Sequence, residues 1–282
     1  MLLENPRQIA AKVLLDQRKG HAPLEEALDQ QLNSATISPT DRRLVQELVY
    51  GVVRWQATLD WLIDRKATSR PPVAGVRALL RLGLYQLFLL DRIPDHAAVN
   101  ETVEAAKQLG YARQAGLLNA VLRGYVREKE PTREQLRELK STNLALGYSH
   151  PEWLCSRWES RWGRELTRQL LQWNNSPAPV VARLNTLQTD ADRLLATWKQ
   201  EDLAQTPVKF DWAPENLLFE LSSPGAISSL NSFRAGGFYI QDPSTLLAVT
   251  QLDPKPGESV LDFCAAPGGK TTFIAQLMEN RG

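Results

Sequence analysis

Apolar residues recur at helical spacing from Pro6 to about Glu130. Ile9, Ala10, Val13 and Leu14 form one stripe, and Leu44, Val45, Leu48, Val49 and Val52 form a second. Recurrence at three and four positions places such side chains on one face of a helix. The second stripe follows Ser38-Pro39-Thr40-Asp41, where a hydroxyl can accept from a free N–H and proline stands at a position that needs no donor. Val76, Leu79, Leu80, Gly83, Leu84, Leu87 and Phe88 are dense enough to predict a central helix that is mostly core. Asp95 to Leu109 and Gln114 to Val126 supply two more helices, with Gly110 as the stop between them. No strand-like alternation interrupts this run, so the pattern predicts an all-α domain over 1–130, a common domain size.

The pattern then changes twice. Glu128-Lys-Glu-Pro-Thr-Arg-Glu134 is charged and proline-marked, the composition of a linker. From about His150 to Trp173 helical spacing returns. Trp158, Trp162, Leu166 and Leu170 lie every four residues, and Arg157, Arg161, Arg164 and Arg168 follow at spacings of four, three and four. This predicts a helix with one basic face, and residues 131–178 read as linker plus basic helix. Short β-type runs follow, Val180-Val-Ala-Arg-Leu184 and Gly237-Phe-Tyr-Ile240, with a helix near Asp190 to Gln200 between them; residues 179–240 read as a small α+β module. Over 241–282 come a short helix after Asp242-Pro243, a Pro254-Lys-Pro-Gly257 turn, a strand Ser259-Val-Leu-Asp-Phe263, a Gly-rich loop and a helix from near Thr271. Strand, loop and helix in that order are the first unit of a Rossmann-like α/β sheet, whose ligand site lies outside the carboxyl ends of the strands.

Composition narrows the function classes. The 282 residues are 43% hydrophobic and 23% charged, with net charge +1, an ordinary globular balance with room for about two domains. No apolar run reaches the ~18 residues of a membrane span. The start, Met1-Leu-Leu-Glu-Asn-Pro-Arg7, meets an acid and a proline before a signal-peptide core could form, so a cytoplasmic protein is expected. Cys155 and Cys264 are far apart and form no Cys/His cluster, which predicts neither a metal site nor a disulfide framework. Residues 1–130 carry net +3 and the remainder net −2, so any nucleic-acid surface must be local.

Asp262-Phe-Cys-Ala-Ala-Pro-Gly-Gly-Lys-Thr271 holds the candidate chemistry. Small residues let a backbone approach a ligand closely, and the N–H groups at the start of a helix favour an anionic group. A dinucleotide, a nucleoside triphosphate and S-adenosylmethionine are the candidate ligands. The sequence lacks Gly-x-Gly-x-x-Gly, and a phosphate-binding P-loop needs glycine where Cys264 stands.

The same loop resembles the first cofactor motif of the RNA cytosine-C5 methyltransferases, and Tyr239-Ile-Gln-Asp242 is similar to the stretch leading into that domain. Upstream, Leu79-Leu-Arg-Leu-Gly-Leu-Tyr-Gln-Leu87, Ile93-Pro-Asp-His-Ala-Ala-Val-Asn-Glu101 and Leu118-Asn-Ala-Val-Leu-Arg123 look like the NusB-type helical domain of the RsmB (Sun, Fmu) family. The resemblance implies an S-adenosylmethionine-dependent enzyme acting on carbon 5 of a cytosine in 16S ribosomal RNA. It implies that Cys264, Ala265, Ala266, Pro267, Gly268, Gly269 and Lys270 line the cofactor, mostly through their backbone, with Asp262 shaping the loop and Lys270 reaching the methionine carboxylate. It further implies that the catalytic cysteines lie in Pro-Cys and Thr-Cys motifs farther along the α/β domain. Neither motif occurs up to Gly282, and the chain is expected to be the inactive front part of a longer enzyme.

Carbon 5 of cytosine is a poor nucleophile, and adding a thiolate at carbon 6 makes it enamine-like, so a reactive cysteine is required. Cys264 lies inside the cofactor loop, and Cys155 sits among tryptophans as a small core residue; neither is the expected nucleophile. Two readings of Arg157, Arg161, Arg164 and Arg168 stay open: contact with an RNA backbone, or a solvated face partly paired with Glu159 and Glu165. Arg42, Arg43, Arg54, Arg65, Lys66 and Arg70 read as surface solvation among interleaved acids. His96 follows Asp95 at a helix start and reads as structural, while His21 and His150 carry no signal. The competing function is a non-catalytic NusB-like RNA-binding protein, alone or with a protein partner.

Overall fold

A computed structural model describes residues 5–17, 23–67, 71–222, 225 and 227–282; His21 and Arg70 lie outside them. Two compact units make up the chain, Met1–Ser176 and Pro177–Gly282.

The first unit is helical: α1 (Pro6–Gln17), α2 (Leu24–Ser34), α3 (Pro39–Arg54), α4 (Gln56–Lys66), α5 (Ala74–Leu89), α6 (Asp95–Ala106), α7 (Ala115–Arg127), α8 (Lys129–Thr142), α9 (Leu144–Gly147) and α10 (Glu152–Asn174). The predicted stripes form its core. Ile9, Val13, Val45, Leu48, Leu62, Leu79 and Leu118 are buried in one cluster, and α5 is buried over most of its length. The Ser38 hydroxyl accepts from the Asp41 N–H at 3.0 Å, which caps α3. Gly110, at φ 88, takes the left-handed turn that ends the helical run after α6.

Two sequence expectations fail in this unit. The segment read as a linker is the helix α8, with Thr132 buried and Leu136 packed on the bundle core. Pro131 is its third residue, within the first turn, where a missing N–H is no loss. Lys66 pairs with Glu128 at 2.6 Å and Lys129 with Asp95, so ion pairs dock its start on the bundle. The predicted single face of α10 is also broken. Gly163, at φ 80 and ψ 164, is non-helical and changes the direction of the helix midway. Cys155, Thr167 and Leu171 are therefore the buried positions, while Trp162 and Leu166 stand 44% and 58% exposed.

The second unit contains β1 (Val180–Leu184), α11 (Ala191–Gln200), β2 (Ala204–Val208), β3 (Leu218–Ser222), α12 (Asn231–Arg234), β4 (Phe238–Ile240), α13 (Leu246–Leu252) and α14 (Gly269–Leu277). The sheet order is β2-β3-β1-β4 with every neighbouring pair antiparallel. β3 lies between β1 and β2, and α11 makes the crossover, the split β-α-β of a β-α-β-β-α-β module. Asp190 caps α11 by accepting from the Arg193 N–H at 2.9 Å. Trp198 of α11 is buried edge-on against Phe219 and Phe238, with ring centres 5.4 and 5.2 Å away. Phe273 of α14 joins the same core.

The strand expected at 259–263 pairs with no strand among the described residues. Leu261 and Phe263 are 75% and 91% exposed, so no other segment covers these apolar side chains among the described residues.

Candidate functional site

The loop between residue 262 and α14 is built around Asp262. One carboxylate oxygen accepts from the Cys264 N–H at 3.0 Å and the other from the Thr271 hydroxyl at 2.7 Å, tying the two ends together. Gly268, at φ 106 and ψ 0, turns the chain into α14, a conformation in which an L side chain meets its own backbone. The first helical bond runs from the Thr272 N–H to the Gly268 carbonyl at 2.9 Å. The N–H groups of Gly269, Lys270 and Thr271 precede it without helical acceptors. The Ala266–Pro267 peptide is cis.

This loop forms one wall of a cleft of about 430 Å³. All seven sequence-predicted positions, Cys264, Ala265, Ala266, Pro267, Gly268, Gly269 and Lys270, line it. The opposite wall is Phe233 with Tyr239, Ile240, Gln241, Asp242 and Thr245, which includes the Tyr239–Asp242 stretch noted in the sequence. Lys270 is exposed and has no ion pair among the described residues. A Cβ on Gly269 would come within 3.0 Å of the Gln241 side-chain nitrogen, so this glycine permits the close packing of the two walls.

Sequence reasoning missed Arg183. It lies in β1 and is fully buried. Its Nε donates to Gln241 Oε1 at 2.8 Å, Nη2 donates to the Thr272 hydroxyl at 2.8 Å, and Nη1 donates to Gln276 Oε1. The guanidinium also lies over the rings of Tyr239 and Phe273, at 4.5 and 5.0 Å. Burial pushes its pKa down to about 10, with Tyr239 acting in the opposite direction. The available signal was an arginine flanked by four apolar residues in a five-residue strand. Such a residue must find acceptors wherever both sheet faces are covered.

Cys155 is buried with Leu144, Tyr148 and Leu171. Burial, and then the Glu159 carboxylate, push its thiol pKa up, which suits a core residue and opposes thiolate chemistry. Cys264 is exposed in the loop. The four arginines of α10 divide by their ion pairing. Arg164 pairs with Glu159 at 2.8 Å, and Arg168 pairs with Glu165 at 2.6 Å. The bonds from Arg168 and Gln169 hold Glu165 down to about pKa 2. Arg157 and Arg161 precede the Gly163 break, are exposed, and have no ion pair among the described residues; the Arg161 guanidinium lies 5.7 Å from the Trp162 ring. His96 is exposed in the first turn of α6, and His150 Nδ1 lies 2.7 Å from the Tyr148 carbonyl. Among the described residues no group of three His, Cys, Asp or Glu side chains could hold a metal ion, and no helix is long and apolar enough to cross a membrane.

Three family comparisons tile the chain. Residues 4–127 match the NusB family, 150–223 match the ferredoxin-like domain of RsmF/B-like methyltransferases, and 249–282 match the 16S rRNA methyltransferase RsmB/F family. Segment by segment, the chain is thus similar to NusB and to the RsmB/F-type methyltransferases. A probable ribosomal RNA small subunit methyltransferase B of Synechocystis sp. is 38% identical over 98% of this chain and 61% of its own length. The corresponding probable enzyme of Bacillus subtilis is 35% identical over the same shares, and the Yersinia enterocolitica methyltransferase B is 36% identical over 96% and 61%. The chain thus spans about three-fifths of these RsmB/F relatives. The crystal structure of PH0851 shares the fold at a TM-score of 0.68 and 21% identity, covering all of this chain and 63% of that one. The architecture is a helical NusB-like region, a ferredoxin-like α+β module whose strand order is the one described above, and the beginning of a methyltransferase domain.

Proposed function

We propose that this chain supplies the RNA-positioning modules and the cofactor loop of an S-adenosylmethionine-dependent methyltransferase acting on carbon 5 of a cytosine in 16S ribosomal RNA, a cytoplasmic substrate. The observation that carries the reading is the cleft walled by residues 264–270. Its chemistry fits the cofactor. Small residues and a left-handed glycine admit a nucleoside against backbone, the open N–H groups at the start of α14 favour a carboxylate, and Lys270 adds a mobile positive charge. When bound, S-adenosylmethionine supplies an electrophilic methyl group.

The chain's own residues bind and orient. Asp262 holds both ends of the loop, and Gly268 and Gly269 provide close approach. Neither cysteine has the role of nucleophile, since Cys155 is buried with a raised pKa and Cys264 belongs to the cofactor wall. The division of labour we propose follows the sequence segments, with 1–130 as the NusB-like RNA-binding domain, 131–178 as the adjoining basic region, 179–240 as the α+β module and 241–282 as the start of the methyltransferase domain. RNA contact on α10 is assigned first to Arg157 and Arg161, which have no ion pair among the described residues, and only second to the paired Arg164 and Arg168.

Calorimetric titration of the chain with S-adenosylhomocysteine tests the cofactor assignment. Saturable binding that ATP and NAD do not mimic supports it. Binding of 16S rRNA fragments with no affinity for the nucleoside would overturn it in favour of a non-catalytic NusB-like RNA-binding protein.

A further inference from the structure

Arg183 is a buried cation with no counter-charge. Its three acceptors, Gln241, Gln276 and Thr272, are neutral, and it forms no ion pair among the described residues. Hydrogen bonds to neutral groups orient a guanidinium without cancelling its charge. In a poorly polarisable interior that charge is felt farther than it would be in water.

The cleft is where that field emerges. Tyr239, Gln241 and Thr272 touch the guanidinium from one side and line the cleft on the other. Lys270 and the first N–H groups of α14 add potential of the same sign from the loop side of the cleft, and the Asp242 carboxylate, which also lines it, opposes them. Arg183 also fixes the wall itself. By donating to Gln241 Oε1 it directs Gln241 Nε2 to the Thr245 hydroxyl at 2.9 Å and against Gly269. A zwitterionic ligand with separated charges would turn its carboxylate toward this wall and its cationic groups away from it.

We infer that Arg183 is a positioning and specificity residue for the site, a buried counter-charge that selects ligands carrying a carboxylate beside the nucleoside. The inference deepens the S-adenosylmethionine reading and rests on it.

Two ligands isolate the amino-acid group: S-adenosylhomocysteine, which carries the carboxylate with its ammonium, and 5′-methylthioadenosine, the thioether nucleoside with a methyl in place of the whole amino-acid chain. Both are titrated into the full 282-residue chain and into Arg183→Met, Arg183→Lys and Gln276→Glu, with thermal melts to establish folding. Gln276 does not line the cleft, and a glutamate there gives Arg183 its missing counter-charge while leaving the guanidinium in place. The expected result is a loss of about tenfold or more in S-adenosylhomocysteine affinity for Arg183→Met and Gln276→Glu, with 5′-methylthioadenosine changed less than about threefold and Arg183→Lys retaining most of the discrimination. If Arg183→Met does not fold, Gln276→Glu and Arg183→Lys decide the matter. Equal losses on both ligands would reduce Arg183 to scaffold and overturn the inference, as would unchanged S-adenosylhomocysteine affinity in folded variants. A wild-type chain that binds neither ligand would overturn the cofactor reading itself, and the inference with it.

Discussion

Replacing Gly268 by alanine isolates the backbone contribution to the loop proposed to hold the cofactor. Gly268 sits at φ 106, and a Cβ built there meets nothing within 4 Å. Packing therefore contributes no penalty, and the whole cost is that of holding an L residue in left-handed conformation, about 1–2 kcal/mol. The neighbouring loop residues Ala265, Ala266 and Pro267 are exposed, so the variant can relieve the strain by letting the loop depart from its native path. The melting temperature should fall by only a few degrees. Binding must restore the native path, and the same energy then reappears as a Kd for S-adenosylhomocysteine raised by roughly five- to thirtyfold. Gly236→Ala is the control. Gly236 also has positive φ, 72°, and open space around it, but it does not line the cleft. It should lower the melting temperature and leave Kd unchanged. Calorimetric titrations and thermal melts of the three proteins suffice. Gly268→Ala binding within about twofold of the wild type, or Gly236→Ala binding as badly as Gly268→Ala, would refute the reasoning.

Three further outcomes follow from the helical unit. Asp60 accepts from Arg81 through both carboxylate oxygens, at 2.8 and 2.7 Å, and from Arg77 at 3.1 Å. Asp60→Asn should cost about 2 kcal/mol in a denaturant titration, because the Arg81 guanidinium loses its anion and Arg77 keeps only its pair with Asp64. Leu62 is fully buried in the bundle core, and Leu62→Ala should destabilise by about 3 kcal/mol; a loss below about 1 kcal/mol would mean that the site collapses around the cavity. Burial pushes the Tyr125 phenol up to about 12 from an ordinary 10, and its hydroxyl donates to the Leu62 carbonyl. A raised folded-state pKa means that its contribution to stability is fully present below about pH 10 and is lost as pH rises through about 12. Melts across that range should show the decline, and Tyr125→Phe should flatten it.

The helical unit was legible because its signal is periodic. Stripes such as Leu44–Val52 and Val76–Phe88 name both the element and its buried face, and Ser38 marks where a helix begins. The turn of the 262–271 loop was legible for a different reason, since Asp262 and the glycines are required by local geometry that few other residues satisfy. What failed depended on position within an element or on distant partners. Pro131 suggests a break by composition, yet it is harmless in a first turn. Gly163 is tolerated in a helix by pattern, yet here it takes a left-handed φ that moves the buried face from Trp162 and Leu166 to Thr167 and Leu171. The run Ser259–Phe263 has strand composition, but a strand exists only where another chain segment pairs with it. Arg183 had no local signature of its role because its acceptors are 58, 89 and 93 residues away.

That last separation bears on how the protein is made. At the usual pace of about 5–20 residues per second, a ribosome that has just added Arg183 needs on the order of 5–20 s to reach Gln276. Throughout that interval β1 carries a charged group that its own sheet cannot bury with satisfied partners. The helical unit, Met1–Ser176, has by then been fully synthesised and is free to fold. Completion of the Arg183 network waits for α14 to clear the exit tunnel. Nascent chains stalled between those two lengths should keep the β1 and β3 apolar residues open to protease and to chaperones, while the bundle behind them is already resistant.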